Sequence, residues 1–411
     1  MAVIGLIFTH HKQFSEYEDA LSKAVKDFRS SVTASDKSGP PLIAKDLDTD
    51  RSKFNFPTCN PQINVVAVKV HKCASSTVSN IIIRHGMKHN LVFGLPRHDD
   101  AHLGWPMPLQ LERDIRYFKS FRQNNVTINA IAHHLVFNGT LLKTFMPNNT
   151  SYFAIIRRPL DQFISSLNFF KVETRRLNIP GNTTNDKAME FLSNPLKYEK
   201  TLKISSLNRR VVGPKSITKN FMSTDLGLRD KNIDSDMELS QFASDLDRHL
   251  TLMMIQEYLD ESLVLMKRLL CWELHEFLNL QVNVRTNYVR KEDPVMARQH
   301  SSWSKADHTV YNYFNRTFWK KVRAQGPDFS DEVEHFKKLN VFVQDLCALY
   351  VSTDKFKKIS NPPEPRTIIL PESRWNRKVF FRSSECYDIA RRPFQFKELF
   401  VKHQYMINNL H

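Results

Sequence analysis

A β-branched run, Ile63 to Val70, passes without any glycine into a short polar loop, His71 to Ser76, and then into a helical pattern carried by Val78, Ile81, Ile82 and Met87. Strand, polar loop and helix in that order aim backbone N–H groups from a helix N-terminus at one spot, an arrangement suited to a phosphate group. The pattern recurs. Val126 to Ala132 reads as a strand ending at His133 and His134, and Tyr152 to Ile156 as one ending at Arg157 and Arg158, with Pro159 where a helix should begin. That helix carries Leu160, Phe163, Ile164, Leu167 and Phe170 on one face and Ser165 on its other side. A fourth strand, Leu250 to Ile255, runs into Gln256 and Glu257 ahead of an amphipathic helix from about Asp260 to Leu274. Strands alternating with helices predict an α/β fold with a mostly parallel central sheet, helices on both faces, and ligands at the carboxyl ends of the strands. Beyond Trp303 the chain reads as helical additions rich in aromatic residues (Tyr311, Phe314, Phe318, Trp319).

Three segments are expected. Residues 1–55 read as a helix (Phe14 to Phe28) followed by a stem-like linker, 56–355 as the main domain, and 356–411 as a basic extension packed on it. The net charge of +16 favours anionic partners. Only 10 glycines, with no GxxxxGK[ST] or GxGxxG string, weigh against kinase- and dehydrogenase-type loops. The five cysteines form no CxxC pair, so in an oxidising compartment two disulfides at most can form and one thiol is left over; Cys271, Cys347 and Cys386 are candidates. Sequons at Asn125, Asn138, Asn148, Asn149, Asn182 and Asn315 permit a secretory protein. The apolar run Ala2 to Phe8 is shorter than a membrane span of roughly 20 residues or a signal-peptide core, so either a soluble variant or a missing preceding anchor is expected.

Two clusters could hold anions. Lys72, Cys73, Ala74, Ser75, Ser76 and Thr77 combine a helix N-terminus, three hydroxyls and a lysine able to reach a bridging oxygen, although an ordinary helix cap would use the same residue types. Arg157 and Ser165 could converge on a second phosphate, the guanidinium supplying paired donors, while Arg158 reads as a structural charge. Two such loops at adjacent strand ends fit a nucleotide phosphorylated at both its 3' and 5' positions. The adjacent pairs His133-His134 and His10-His11 do not suit one ion and no carboxylate completes a shell, so no metal is expected.

Four stretches resemble the galactose 3-O-sulfotransferase family: Lys69 to Thr77 (KVHKCASST), Ile155 to Ser165 (IIRRPLDQFIS), Ile255 to Leu274 (IQEYLDESLVLMKRLLCWEL) and Tyr311 to Val322 (YNYFNRTFWKKV). The resemblance implies a P-loop-like sulfotransferase fold and 3'-phosphoadenosine 5'-phosphosulfate as donor. It implies a galactose-terminated glycolipid or glycan as acceptor, no nucleic acid, and a Golgi-lumenal setting on a membrane anchor. Lys72, Ser75, Ser76 and Thr77 then take the 5'-phosphosulfate and Arg157 and Ser165 the 3'-phosphate. Two departures are the absent anchor and Cys73 where threonine is common. An acceptor hydroxyl must lose its proton, and imidazole titrates in the right range. His134 is favoured as the base, with His71 in the donor loop or as a second catalytic histidine; the two roles could be exchanged, and His133 reads as a neighbour. Rival readings are an O-sulfotransferase acting on a uronic acid or hexosamine of a polyanionic glycan, and a non-catalytic glycan-binding protein.

Overall fold

Four short strands carry the site: β1 (Val65–Val68), β2 (Ala130–Ile131), β3 (Ser151–Ile156) and β4 (Leu252–Ile255). All residues of β1, β2 and β4, and all but the first of β3, are buried. Successive side chains point to opposite faces of a strand, so the sheet is covered on both sides. The strands are parallel in the order β2-β1-β3-β4. The chain leaves β1 for one neighbour and returns to the other, which puts the topological switch point between β1 and β3, where such sheets bind ligands. The structure is a computed structural model describing residues 59–97, 101–170, 178–201, 216–230, 232–280, 293–351, 364–400 and 402–403. The expected helix Phe14 to Phe28 and its linker lie outside the described residues.

The sheet belongs to the larger of two compact units, residues 61–270, 285–329 and 392–411. Here α1 (Ser75–Lys88) follows β1 and α2 (Pro159–Phe170) follows β3. Pro159 presets the first helical φ and needs no partner for an N–H it lacks. Leu160, Phe163 and Leu167 of α2 pack with Phe191 and Trp303 in one apolar cluster; each such side chain contributes roughly 1.5–3 kcal/mol. Further on come α3 (Phe221–Asp225), α4 (Asp236–His249), α5 (Leu259–Leu270) and α6 (Lys305–Arg323). The buried residues Ala306, Val310, Phe314 and Phe318 line up along α6 at helical spacing.

A five-residue helix such as α3 cannot hold itself, and α6 clasps it. The Asp307 carboxylate accepts from Ser223 N (2.7 Å), Ser223 Oγ (2.6 Å) and Met222 N (3.3 Å), while Asn220 Oδ1 accepts from Ala306 N (3.0 Å). Burial pushes Asp307 up to about 6. At its other end the Asp225 carbonyl accepts from Phe137 N, and Gly227 follows at φ 100°.

The smaller unit comprises residues 1–60, 271–284 and 330–391. It holds most of α7 (Phe329–Cys347), an antiparallel pair of β5 (Thr367–Leu370) and β6 (Val379–Arg382), and α8 (Glu385–Ala390). Its disulfides join Cys59 to Cys271 and Cys347 to Cys386. Cys73, in the larger unit, is the free and buried thiol.

Several element boundaries differ from the sequence reading. Of Val126 to Ala132 only Ala130–Ile131 pairs as a strand, because Asn129 N and Ala130 N both donate to the Val92 carbonyl of a flanking segment. The helix expected to reach Leu274 stops at Leu270, where Cys271 turns left-handed at φ 57°. The basic C-terminal stretch contains the hairpin of β5 and β6, which prolines and charge had concealed.

A Cβ at Gly227 would strike the Phe137 carbonyl oxygen, and the positive φ is itself unfavourable for alanine. Gly227→Ala should cost about 2 kcal/mol or more, seen as a fall of several degrees in melting temperature. An unchanged melting temperature would show that this turn does not constrain α3.

Candidate active site

The loop after β1 does without glycine what a phosphate loop needs. Lys72 and Ala74 take left-handed backbone at φ 62° and 59°, a conformation costing a side-chain-bearing residue about 1–2 kcal/mol. Such cost is retained where the surroundings over-determine the loop, commonly at functional sites. Ser75 Oγ donates to the Val70 carbonyl (2.6 Å), Cys73 Sγ to the His71 carbonyl (3.3 Å), and Gln162 Nε2 of α2 to the same carbonyl (3.1 Å). Ser75 thus holds the neck of the loop, Cys73 points inward, and burial pushes its thiol well up. Ser76 is exposed at the start of α1, with Lys72 and Thr77 half-buried beside it.

At the end of the adjacent strand, Arg157 keeps a buried Nε with no hydrogen-bond partner among the described residues. Buried donors are nearly always satisfied, so this one is in want of an acceptor. Burial and the neighbouring positive charges of Arg157 and Arg392 bring Lys72 down to about 8. The two cradles therefore feel each other electrostatically, and an anion between them would relieve both. Ser165 lies half-buried on α2. Arg158 is structural: its N–H donates to Glu257 Oε1 (2.8 Å) and its Nε faces Asp161 at 2.9 Å.

His71 and His134 stack face to face, their ring centroids 3.8 Å apart. The Asp225 carboxylate accepts from His71 Nδ1 (2.8 Å), from His71 backbone N (2.8 Å) and from Trp105 Nε1 (2.7 Å). With Nδ1 committed to Asp225, the proton-accepting position of His71 is Nε2. Burial holds His71 below the ordinary imidazole value, the carboxylate partly offsetting it. His134 is engaged at both nitrogens. Its Nδ1 must donate to the Lys69 carbonyl (2.6 Å), which leaves Nε2 to accept from Lys69 Nζ (2.9 Å). Burial, then the charges of His71, Lys69 and His102, hold His134 far below the imidazole range. Burial and Lys72 bring Lys69 down to about 8. The segment around His102 zips onto His134, since His134 N donates to Ala101 O (2.9 Å) and Leu103 N to His134 O (2.7 Å). His102 stacks on His134 at 5.3 Å.

The site thus gathers the carboxyl ends of three neighbouring strands: His134 after β2, Lys69 to Thr77 after β1, and Arg157 after β3. Asp225, Trp105, His102 and Lys69 join it without having been assigned any role from sequence. Lys69 alone had a signal, being the one charged residue in the apolar run Ile63 to Val70 that leads to the loop's histidine. Asp225 stands 154 residues from His71, and no local pattern connects them.

A family model described as galactose-3-O-sulfotransferase matches residues 5–354. The chain belongs to that family. Galactose-3-O-sulfotransferase 2 of Homo sapiens is 32% identical over 310 residues, 74% of this chain and 73% of that protein. The Mus musculus protein of the same name is 31% identical over 291 residues, 70% of each chain. Galactosylceramide sulfotransferase of Bos taurus is 31% identical over 295 residues, 70% of this chain and 65% of that protein. Family membership places the chain among the carbohydrate sulfotransferases.

Lys69 and Lys72 should stand apart in a titration. After reductive methylation with labelled formaldehyde, the signal lost in Lys72→Arg should have a midpoint near 8, below the usual lysine value of about 10.4, and pyrophosphate should move it upward. A midpoint at the usual lysine value, unmoved by pyrophosphate, would contradict the shared positive field.

Proposed function

We propose that this protein transfers the sulfuryl group of 3'-phosphoadenosine 5'-phosphosulfate to the 3-hydroxyl of a terminal galactose on a glycolipid or glycan. The observation that carries this reading is the pairing of two cationic cradles at neighbouring strand ends, with Lys72 depressed by burial and by Arg157 and Arg157 Nε lacking an acceptor among the described residues. Lys72, Ser76, Thr77 and the first N–H groups of α1 would take the 5'-phosphosulfate, and Arg157 with Ser165 the 3'-phosphate. Ser75 supports the loop through Val70. Strand, loop and helix in this order support a P-loop-like class for the fold.

His71 is the base in this proposal and His134 its support. The Asp225 carboxylate orients His71 through Nδ1 and stabilises the imidazolium that forms when Nε2 takes the acceptor proton. His134 has no such freedom, because Lys69 occupies both of its nitrogens. As the galactose oxygen bonds to sulfur, the sulfur–oxygen bond to the 5'-phosphate breaks. The electron pair stays on that bridging oxygen, where the Lys72 ammonium stabilises it. 3'-Phosphoadenosine 5'-phosphate leaves. The family resemblance supports a Golgi-lumenal, membrane-attached setting. Among the described residues no helix is long and apolar enough to cross a membrane.

The test combines binding and turnover. 3'-Phosphoadenosine 5'-phosphate should raise the melting temperature of the wild type, and Arg157→Ala should abolish most of that shift. Labelled donor should mark terminal β-galactosides and leave heparan and chondroitin chains unlabelled, and Lys72→Ala should lower turnover by about 100-fold or more. No nucleotide-dependent stabilisation, or label only in the polyanionic chains, would overturn the proposal.

A further inference from the structure

One large apolar side chain in this charged site is left facing outward. Phe169, near the end of α2, is 59% exposed, yet one face of its ring is covered by Lys72 Nζ, 3.8 Å from the centroid. Phe169 packs edge-on against Phe170, whose ring lies 6.3 Å from that of His71. The ring is thus one aromatic residue away from the base, beside the lysine of the donor loop.

Resting on the donor and acceptor reading above, the geometry points to Phe169 as the acceptor's stacking platform, which Lys72 covers until the donor's phosphosulfate draws the ammonium away. A cation on an aromatic face gains far less than one on a phosphate oxygen, and burial together with Arg157 already makes an anionic partner favourable for Lys72. Lys72 therefore exchanges the ring for the anion, and the face it covered is released. β-Galactose is matched to such a face: its axial 4-hydroxyl leaves the C–H groups at positions 3, 4 and 5 as one continuous apolar patch, which stacks on an aromatic ring. Glucose, with an equatorial 4-hydroxyl, presents a less continuous patch there. A sugar ring and an ammonium cannot share one face at stacking distance, so the two compete. Donor binding then primes acceptor binding, and Phe169 sets the preference for galactose.

The coupling equals the hold of Lys72 on the ring. A cation–π contact on a ring this exposed lowers the apparent galactoside affinity about 2- to 5-fold while it persists. The test titrates methyl β-galactoside and methyl β-glucoside by NMR into the full chain, with and without saturating 3'-phosphoadenosine 5'-phosphate, in wild type, Phe169→Tyr and Phe169→Ala. Wild type and Phe169→Tyr should bind the galactoside more tightly by that factor when nucleotide is present, and should bind the glucoside weakly throughout. Phe169→Ala should keep its nucleotide-induced thermal shift while losing both galactoside affinity and coupling. Equal galactoside binding with and without nucleotide in a wild type that binds nucleotide would overturn this inference alone, as would an unimpaired Phe169→Ala. Absence of nucleotide binding by the wild type would overturn the donor reading and this inference with it.

Discussion

A buried carboxylate must have its lone pairs filled, and at Asp225 three donors from two distant parts of the chain fill them: the backbone and ring of His71, and the indole of Trp105. Losing any one donor would leave a charged acceptor short of a partner in a dry environment, at about 1–3 kcal/mol. This requirement fixes three things at once. It sets the hydrogen-bonded nitrogen of His71, it brings the segment carrying Trp105 and His102 over the ends of β1 and β2, and it obliges the short helix α3 to sit where Asp225 can serve all three. The clasp that Asp307 and Asn220 make between α6 and α3 follows from the same need, since a helix of five residues holds its position only through its neighbours.

The second organising force is positive charge confined where water is scarce. Lys69 and Lys72 are both brought down to about 8, first by burial and then by a neighbouring cation, Lys72 in the case of Lys69 and Arg157 in the case of Lys72. A lysine whose folded value lies below its unfolded value of 10.5 makes the fold most favourable above that value. The benefit is lost as pH falls through about 8, so at neutral pH the charged pair weighs against the fold. A bound polyanion offsets this load. Stability and ligand binding are therefore coupled at this loop, which also stores the backbone cost of two left-handed residues, Lys72 and Ala74.

Much of this architecture is legible in the order of residues, for a physical reason. A parallel strand buried on both faces must be an apolar run, a helix that follows it starts with small polar residues or proline, and the run Ile63 to Thr77 and the segment around Pro159 satisfy both conditions. Loop residues Lys72 and Arg157 could be found because they sit at those junctions. Asp225 could not, because it is placed by contacts 154 residues apart in a helix too short to leave a periodic signature. Trp105 and His102 come from irregular chain whose course is set by the bonds of Ala101 and Leu103 to His134. Cys59 could not be paired from sequence either, as disulfide connectivity depends on the fold that brings Cys271 to it. The distinction between the two histidines was equally hidden. Both end strands, and only their partners, Asp225 for one and Lys69 for the other, separate them.

The most direct test of the central claim is the pH dependence of kcat/KM for wild type and Asp225→Asn, with the fold of each checked by circular dichroism. If Asp225 orients His71 as the base, the variant should retain nucleotide binding within a few-fold while kcat/KM falls by about 100-fold or more, with the acidic limb of its profile moved to lower pH because the carboxylate no longer raises His71. A folded Asp225→Asn protein with wild-type kcat/KM and an unmoved acidic limb would contradict the account.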